Sequence, residues 1–163
     1  MNGILSGPEI KRQIEYGDIV IDPFDPELLN PASVDLRLGD VVCQYVMNLR
    51  EADIDSKVEP RTVGYVIDGD EGIVLRPGEL YLMHTVERVY TSRFVPIIDG
   101  KSSIGRLGIC VHLTAGYGDP GFNGQYTLEV TSVLPVRVYA GMRFCQMRFH
   151  SIEGEVQQYT GNY

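Results

Sequence analysis

The sequence predicts an all-β fold, a closed or two-sheet β barrel, with one short helix at its start. Beyond residue 17, short runs rich in Val, Ile, Tyr and Leu are broken by Gly, Pro, Asn or Asp about every 8–12 residues. The only helical periodicity lies at the N-terminus. A barrel or a pair of packed sheets is favoured because both arrangements protect the sheet edges that such a number of strands would otherwise expose.

The predicted helix covers residues 6–16, "SGPEIKRQIEY". Ser6 is a suitable N-cap and Pro8 falls in the first turn, where its missing N–H is not needed. Ile10 and Ile14 are four residues apart and therefore share one face. Gly17 is expected to end the helix.

Eleven runs predict strands, and turn residues separate them. They are residues 18–22, 33–39, 41–47, 64–68, 72–78, 80–91, 95–101, 108–115, 124–132, 134–141 and 143–154. Pro77 and Gly78 suit the middle of a type II turn and predict a hairpin within "LRPGELYLMHTVERV". Gly141 predicts another turn, after a strand in which Val136 and Val138 alternate with polar neighbours.

Length and charge restrict the classes of function. The 163 residues suit a single domain, residues 1–163, and the formal net charge of −8 argues against a nucleic-acid-binding surface. The three cysteines, Cys43, Cys110 and Cys145, are too far apart for a zinc or disulfide framework, so free thiols are expected. Neither a leader peptide nor an apolar membrane span is evident, and we expect a cytoplasmic protein without membrane partners.

Two polar segments are candidates for a ligand site. "KSSIGRLG" brings together Lys101, Ser102, Ser103 and Arg106, groups suited to a phosphate, but the spacing is not that of a Walker A loop. A solvated turn is the alternative interpretation of this segment. "TAGYGDPGFNG" is rich in glycine and is expected to form a bend between two strands, with exposed backbone groups.

Two carboxylates belong to the second segment. Asp119 is able to bind a sugar hydroxyl or a water, or simply to cap its own turn before Pro120. Glu129 follows in a strand; if Leu128 and Val130 face the core, it points outward to solvent, a subunit interface or a cleft.

Taken together, these segments resemble the dCTP deaminase family, a branch of the trimeric dUTPase superfamily. The resemblance rests on "ASVDLRLGD", "LRPGELYLMHTVERV", "GKSSIGRLG", "VHLTAGYGDPGFNGQYTLEV" and "LPVRVYAGMRFCQM", which occur in the family's order over nearly the whole chain. It implies a distorted jelly-roll β barrel of the dUTPase type that assembles as a homotrimer, with active sites between subunits.

The resemblance also implies hydrolytic deamination of dCTP. In that reaction Glu129 is the general base that takes a proton from water, and hydroxide attacks C4 of cytosine. Ser102 and Arg106 match the family's active-site hydroxyl and arginine, and the carbonyl of Ala115 matches the group that holds the attacking water. The substrate-binding positions carried over are Lys101, Ser102, Ser103, Arg106, Thr114, Ala115, Gly116, Tyr117, Asp119, Gln146 and Tyr159.

The metal requirement differs from that of most cytosine deaminases, which activate water with zinc held in an H-x-E…P-C-x-x-C pattern. The sequence lacks this pattern, and His84, His112 and His150 are dispersed. We therefore expect a carboxylate to activate water without zinc, and Mg²⁺ to arrive only on the substrate's triphosphate. Expected ligands are dCTP and dUTP, with dTTP as a possible inhibitor.

"TAGYGD" resembles the bifunctional branch of the family, which converts dCTP to dUMP, diphosphate and ammonia. Gly116 and Tyr117 stand where deaminase-only members carry bulky polar residues, and small residues would leave room for a second water. The alternatives are a deaminase that stops at dUTP, a plain dUTPase and a non-catalytic nucleotide-binding regulator.

The sequence departs from the family pattern in two places. Gly118 stands where an apolar residue such as Ile is usual, so the bend is expected to differ locally. "QQYTGNY" resembles only the beginning of the family's mobile tail. The tail beyond about residue 155 is therefore either short, with Tyr159 serving in it, or trimmed.

Overall fold

The computed structural model describes residues 3–46 and 61–161. Met47, at the end of one predicted strand, and the last two residues of the predicted tail lie outside the described residues. Within the described ranges the elements are α1 (Gly7–Tyr16), β1 (Ile19–Asp22), a 3₁₀ turn (Pro26–Leu28), β2 (Val34–Arg37), β3 (Val41–Tyr45), β4 (Thr62–Val66), β5 (Ile73–Leu75), β6 (Tyr81–Thr91), β7 (Phe94–Asp99), α2 (Ser102–Gly105), β8 (Ile109–Cys110), β9 (Asn123–Ser132), β10 (Val136–Val138) and β11 (Arg143–Ser151).

Three antiparallel sheets contain these strands, so the predicted all-β class is confirmed. The largest sheet has the order β4-β3-β6-β9-β8, and β1 also pairs with β6. A three-stranded sheet has the order β2-β11-β7, and β5 pairs with β10. One apolar core draws side chains from all three sheets, including Leu36, Leu75, Leu128, Val138 and Phe144.

The helix α1 forms as its sequence predicts. The Ser6 hydroxyl accepts the backbone N–H of Glu9, and Gly17 ends the helix with φ of 82°, a conformation that glycine adopts without strain. Ile10 is fully buried and Ile14 packs against the core. Among the described residues, no helix has both the length and the apolar character needed to cross a membrane.

The predicted hairpin around Pro77 and Gly78 is wrong, although its turn is present. Gly78 has φ of 80°, and the N–H of Glu79 donates to the carbonyl of Arg76 at 3.3 Å. The two flanking strands, however, lie in different sheets: β5 pairs with β10, whereas β6 pairs with β1, β3 and β9. The residues of a turn set its local conformation, but they do not decide which strands pair.

The predicted strand at 108–115 is also wrong beyond its start. β8 is only Ile109–Cys110, paired with β9 at Thr131 and Ser132. The chain then leaves β9 and approaches β7, where the Ile98 N–H donates to the Gly116 carbonyl at 2.7 Å. The turn predicted in "KSSIGRLG" contains the single-turn helix α2. Both segments therefore sit at the edges of the sheets, where polar groups remain accessible.

Candidate active site

Glu129 points away from the core, as strand alternation predicts. Its neighbours Leu128 and Val130 are fully buried, whereas Glu129 is partly exposed. Its Oε2 accepts the backbone N–H of Thr114 at 3.2 Å, and among the described residues no group donates to Oε1. One carboxylate oxygen is thus anchored to the glycine-rich bend, and the other is available to accept a proton.

The bend, residues 111–119, has its backbone hydrogen bonds with β7, in addition to the contact between Thr114 and Glu129 of β9. The Gly118 N–H donates to the carbonyl of Pro96 at 2.8 Å, and a further bridge joins Ile97 and Tyr117. His112 adds a side-chain contact, because its Nε2 lies 2.8 Å from the carbonyl of Ile98. These contacts leave Thr114, Ala115 and Asp119 exposed.

Gly116 is buried, and its missing side chain does not leave an open space. A Cβ at this position would lie 2.5 Å from the His112 ring and 2.8 Å from the Ile98 carbonyl oxygen. A side chain at Gly116 would therefore meet the His112 imidazole, so glycine is required here by packing. The room for a second water beside a bound substrate stays a prediction. Tyr117 is 66% exposed, so its ring does not fill the bend.

The segment that carries α2 presents its hydroxyls and one cation to the surface. Ser102, Ser103 and Arg106 are exposed, while Ile104 anchors the turn in the core. Lys101 differs: its Nζ forms an ion pair with the buried carboxylate of Asp35, which also accepts Asn30 Nδ2 at 2.7 Å. Lys101 therefore has a structural partner in addition to its predicted role in substrate binding.

Gln146, on β11, supports the same segment through its side-chain amide. Its amide nitrogen donates to the carbonyl of Gly100 at 2.8 Å, and its amide oxygen accepts the Ser33 hydroxyl at 2.7 Å. Gln146 also lies opposite Asp35 on one neighbouring strand and opposite Asp99 on the other. In this structure it holds the start of the α2 segment in place.

Tyr159 lies beside the loop that follows Asp119. Its N–H donates to the carbonyl of Pro120 at 2.7 Å, and its ring packs edge-on against Phe122 with centroids 6.0 Å apart. The side chain of Gln158 donates to the carbonyl of Ser92 at 2.6 Å. The C-terminal segment is thus fastened to the loop that leads from the bend into β9.

The predicted residues form two groups within one chain. Glu129, Thr114 and the bend lie together, and Lys101, Gln146 and α2 form the second group. No hydrogen bond or ion pair of the described residues joins the side chains of Ser102 or Arg106 to Glu129. Sequence reasoning missed Asp35 and His112 as supports, although an acid in the apolar strand "SVDLRLG" was a signal for the first.

A cavity of about 780 Å³ lies elsewhere, between β3, β4, β5 and the start of β6. Gln44, Tyr65, Arg76 and Glu79 are among its lining residues, and none of the predicted site residues is. The candidate active site is therefore an exposed surface in a single chain. Within residues 3–46 and 61–161, no group of three or more His, Cys, Asp or Glu side chains is placed to hold a metal ion.

These features define an all-β domain with a surface carboxylate held by a glycine-rich bend and, separately, a short turn that displays hydroxyls and a cation. The model of the dCTP deaminase-like family matches residues 4–152, and this chain belongs to that family.

Curated relatives match nearly the whole chain. The "dCTP deaminase, dUMP-forming" of Cytophaga hutchinsonii is 46% identical over 161 residues, 98% of this chain and 90% of the relative. The protein of the same description from Hathewaya histolytica is 44% identical over 157 residues, 96% of this chain and 88% of the relative.

A solved structure shares the fold. The 2′-deoxycytidine 5′-triphosphate deaminase of Agrobacterium tumefaciens superposes with a TM-score of 0.70 at 25% identity, covering 92% of this chain. The match spans 48% of that longer chain, so this chain corresponds to about half of its length.

Proposed function

We propose that this chain hydrolyses dCTP to dUMP, diphosphate and ammonia. Relatives described as dUMP-forming dCTP deaminases match 96–98% of its length. The observation that carries the proposal is the position of Glu129, which projects from β9 beside the exposed bend with one oxygen held by the N–H of Thr114. A carboxylate anchored in this way is oriented toward whatever binds in the bend.

The first reaction is the deamination of dCTP. The free oxygen of Glu129 takes a proton from a water held by the carbonyl of Ala115, and the hydroxide forms a bond to C4 of cytosine. As the C4=N3 double bond opens, Glu129 delivers this proton to N3. Glu129 then takes the proton of the new C4 hydroxyl and passes it to the exocyclic nitrogen, the C4–N bond breaks, ammonia leaves, and C4=O forms. Water is consumed, and dUTP is the product of this step.

The remaining predicted residues bind and orient the substrate. The hydroxyl of Ser102 and the guanidinium of Arg106 contact the reacting base and the triphosphate, since both residues are exposed and carry groups suited to a phosphate. Asp119 accepts the 3′-hydroxyl of deoxyribose. The other predicted contacts are Lys101, Ser103, Thr114, Gly116, Tyr117, Gln146 and Tyr159.

The second reaction cleaves dUTP. A water oriented by Asp119 forms a bond from its oxygen to the α-phosphorus, and the proton that it loses passes through Asp119 to solvent. The bond from the α-phosphorus to the oxygen that bridges to the β-phosphate breaks, and diphosphate leaves with that electron pair. Mg²⁺ enters with the triphosphate as part of the substrate and neutralises its charge. dTTP would compete for the same site, because it offers the same sugar and triphosphate.

The assembly we propose is a homotrimer of single-domain, distorted jelly-roll subunits with shared active sites. Supporting this, the Ser102–Arg106 group and the Glu129 group have no side-chain contact within the described part of one chain, although the reaction needs both. Symmetric assembly would supply each site from two copies of the same surface.

Product analysis tests the proposed reaction. Purified protein with dCTP and Mg²⁺ is expected to release ammonia and dUMP in equal amounts, without accumulation of dUTP. Accumulated dUTP would instead identify a deaminase-only enzyme. Release of dUMP from dUTP but not from dCTP would identify a plain dUTPase, and nucleotide binding without turnover would identify a regulator.

The role of Glu129 is tested by Glu129→Gln, which keeps the shape of the side chain but cannot take a proton. We expect deamination to fall by about 10³-fold with dCTP affinity within a few-fold of the wild type. Glu15→Gln, an exposed position on α1, is the matched control and should retain full activity. Deamination that persists in Glu129→Gln would remove Glu129 from its role.

A further inference from the structure

Gly118, in the bend, has no room for a side chain. A Cβ at this position would lie 2.7 Å from the phenol oxygen of Tyr126, 2.9 Å from Cγ of Pro96 and 3.1 Å from Cε1 of Tyr126. Gly118 is not among the described glycines with positive φ, so its backbone does not itself demand glycine. Packing alone excludes a larger residue here, and Tyr126 supplies two of the three closest atoms.

Tyr126 is held firmly from three sides. It is a buried position of β9, and its N–H donates to the hydroxyl of Thr85 at 3.0 Å. Its ring packs edge-on against Phe122 with centroids 5.1 Å apart. The phenol reaches past Gly118 toward Asp119: burial first, and then the charge of Asp119, raise the pKa of Tyr126. Tyr126 therefore stays neutral and acts as a rigid support.

The bend is clamped between this support and β7. On one side the Gly118 N–H donates to the carbonyl of Pro96. On the other side the Tyr126 ring packs against the backbone of Gly118. Any movement of residue 118 shifts Asp119, its chain neighbour, and Ala115, three residues earlier on the same bend. A displacement of about 1 Å at a reacting group is enough to cost about 10²-fold in rate.

We propose that Tyr126 is a positioning residue that acts through Gly118, and that the two form a size-matched pair which sets the backbone carrying Ala115 and Asp119. The inference rests on the proposed function, because it assigns roles to that carbonyl and that carboxylate. Tyr126 itself does not touch the substrate. Its phenol, together with Pro96, occupies the volume that a larger residue at position 118 would fill.

A double-mutant cycle tests the pair. Gly118→Ala should lower kcat for deamination by about 10²-fold, because the new methyl group forces the bend away from Tyr126. Tyr126→Leu removes the two contacts with the phenol ring, while Pro96 Cγ would still lie 2.9 Å from the new methyl group. Adding Gly118→Ala to that variant should therefore lower kcat by about tenfold rather than by about 10²-fold. Tyr126→Phe removes only the nearest atom and should give a partial rescue, which keeps the test usable if the leucine variant folds poorly.

Gly69 provides the matched control, since it is exposed, lacks positive φ and would have no atom within 4 Å of an added Cβ. Gly69→Ala should be neutral in both backgrounds. The ratio of dUTP to dUMP released from dCTP is a second readout. This ratio should rise in Gly118→Ala and fall back toward the wild-type ratio in the double variant. A general loss of packing would not produce that outcome.

Equal effects of Gly118→Ala with and without Tyr126 would overturn the inference. A wild-type protein that does not deaminate dCTP would instead overturn the proposed function. The interaction between positions 118 and 126 would then be judged from the thermal unfolding midpoints of the wild type, the two single variants and the double variant. Additive shifts of these midpoints would overturn the proposed pair.

Discussion

At the scale of single residues, the buried carboxylate of Asp35 controls the start of the α2 segment. Its side chain is 3% exposed and pairs with Lys101, whose side chain is 19% exposed. Asp35→Asn would leave that cation partly buried without a counter-charge, and we expect a loss of about 3 kcal/mol in the free energy of unfolding. Urea unfolding of the wild type and of Asp35→Asn measures this loss.

The matched double variant Asp35→Asn with Lys101→Met removes both charges and should recover part of the loss. Removing both partners avoids the unpaired buried charge that makes the single change costly. A double variant less stable than Asp35→Asn alone would contradict the assignment of Lys101 as the structural partner of Asp35.

Cys145 makes the stability of the fold sensitive to alkaline pH. Burial, with the charges of Glu87 and Asp35, raises its pKa from 9.0 to about 12. Since the unfolded thiol ionises first, this contribution to stability is intact below about pH 9 and is lost as pH rises toward 12. Between about pH 8 and about pH 10 the wild type should lose about 1 kcal/mol more than Cys145→Ala.

Urea unfolding at the two pH values measures that difference, and Cys110→Ala is the control. Cys110 is exposed, so its removal should leave the pH dependence of the wild type unchanged. Equal slopes for Cys145→Ala and the wild type would show that the Cys145 thiol ionises as readily in the folded protein as in the unfolded one.

Sequence reasoning succeeded for residues whose role depends on local pattern and failed for those whose role depends on distant contacts. The outward position of Glu129 follows from alternation with Leu128 and Val130, and the structure confirms it. The pairing of Lys101 with Asp35 joins positions 66 residues apart. No spacing rule connects such positions, because the two meet only when β2, β11 and the α2 segment pack together.

At the scale of elements, an irregularity between β6 and β9 supports the bend. The register shifts between His84 and Arg88, so residues 85–87 of β6 lie opposite Tyr126 alone. The Thr85 hydroxyl satisfies both strands there: it donates to the carbonyl of Glu87 at 2.8 Å and accepts the N–H of Tyr126 at 3.0 Å. This bulge replaces ladder hydrogen bonds with one side chain.

Thr85→Val keeps the shape of the side chain but removes both hydrogen bonds. The buried N–H of Tyr126 and carbonyl of Glu87 would lose their partner, and we expect the free energy of unfolding to fall by about 2–4 kcal/mol. Thr85→Ser retains the hydroxyl and should lose about 1 kcal/mol, from the missing methyl group. Urea unfolding compares them, with the exposed Thr62→Val of β4 as a neutral control.

If Thr85→Ser were as unstable as Thr85→Val, the methyl group rather than the hydroxyl would be the important part of Thr85. The bulge would then be held by packing alone. The irregularity itself was not predictable, because no glycine or proline interrupts residues 80–91 in the sequence. The ends of α1 were predictable from its caps. Strand partners were not: β5 pairs with Val136–Val138, some sixty residues later.

At the scale of the whole molecule, the described chain exposes apolar side chains near both groups of the candidate site. Leu107 follows α2, Leu113 and Tyr117 belong to the bend, and Val133 and Leu134 follow β9; all five are between 46% and 74% exposed. We expect exposed apolar side chains grouped on these segments to contact another molecule. A second copy of the same chain, as in the proposed trimer, would cover them and bring the two groups together.

Subunit mixing tests this arrangement, because shared sites allow two inactive variants to complement each other. Glu129→Gln removes the general base and Arg106→Ala removes contacts to the substrate, so each variant alone is expected to lose activity. In randomly mixed trimers, roughly a quarter of the sites would combine an intact Glu129 from one chain with an intact Arg106 from the next. Activity should therefore return to about a quarter of the wild-type value.

Co-expression with two affinity tags provides the mixed trimers, and native mass spectrometry verifies their composition. A mixture of Glu129→Gln with Glu129→Ala is the control and should stay inactive, since no site regains its base. Mixed trimers that remain inactive would place Glu129 and Arg106 in the same chain's site, and a monomeric protein with full activity would exclude the trimer altogether. Complementation is decisive here because exchange of whole subunits changes which chain supplies each group, and leaves the chemistry of the groups themselves unaltered.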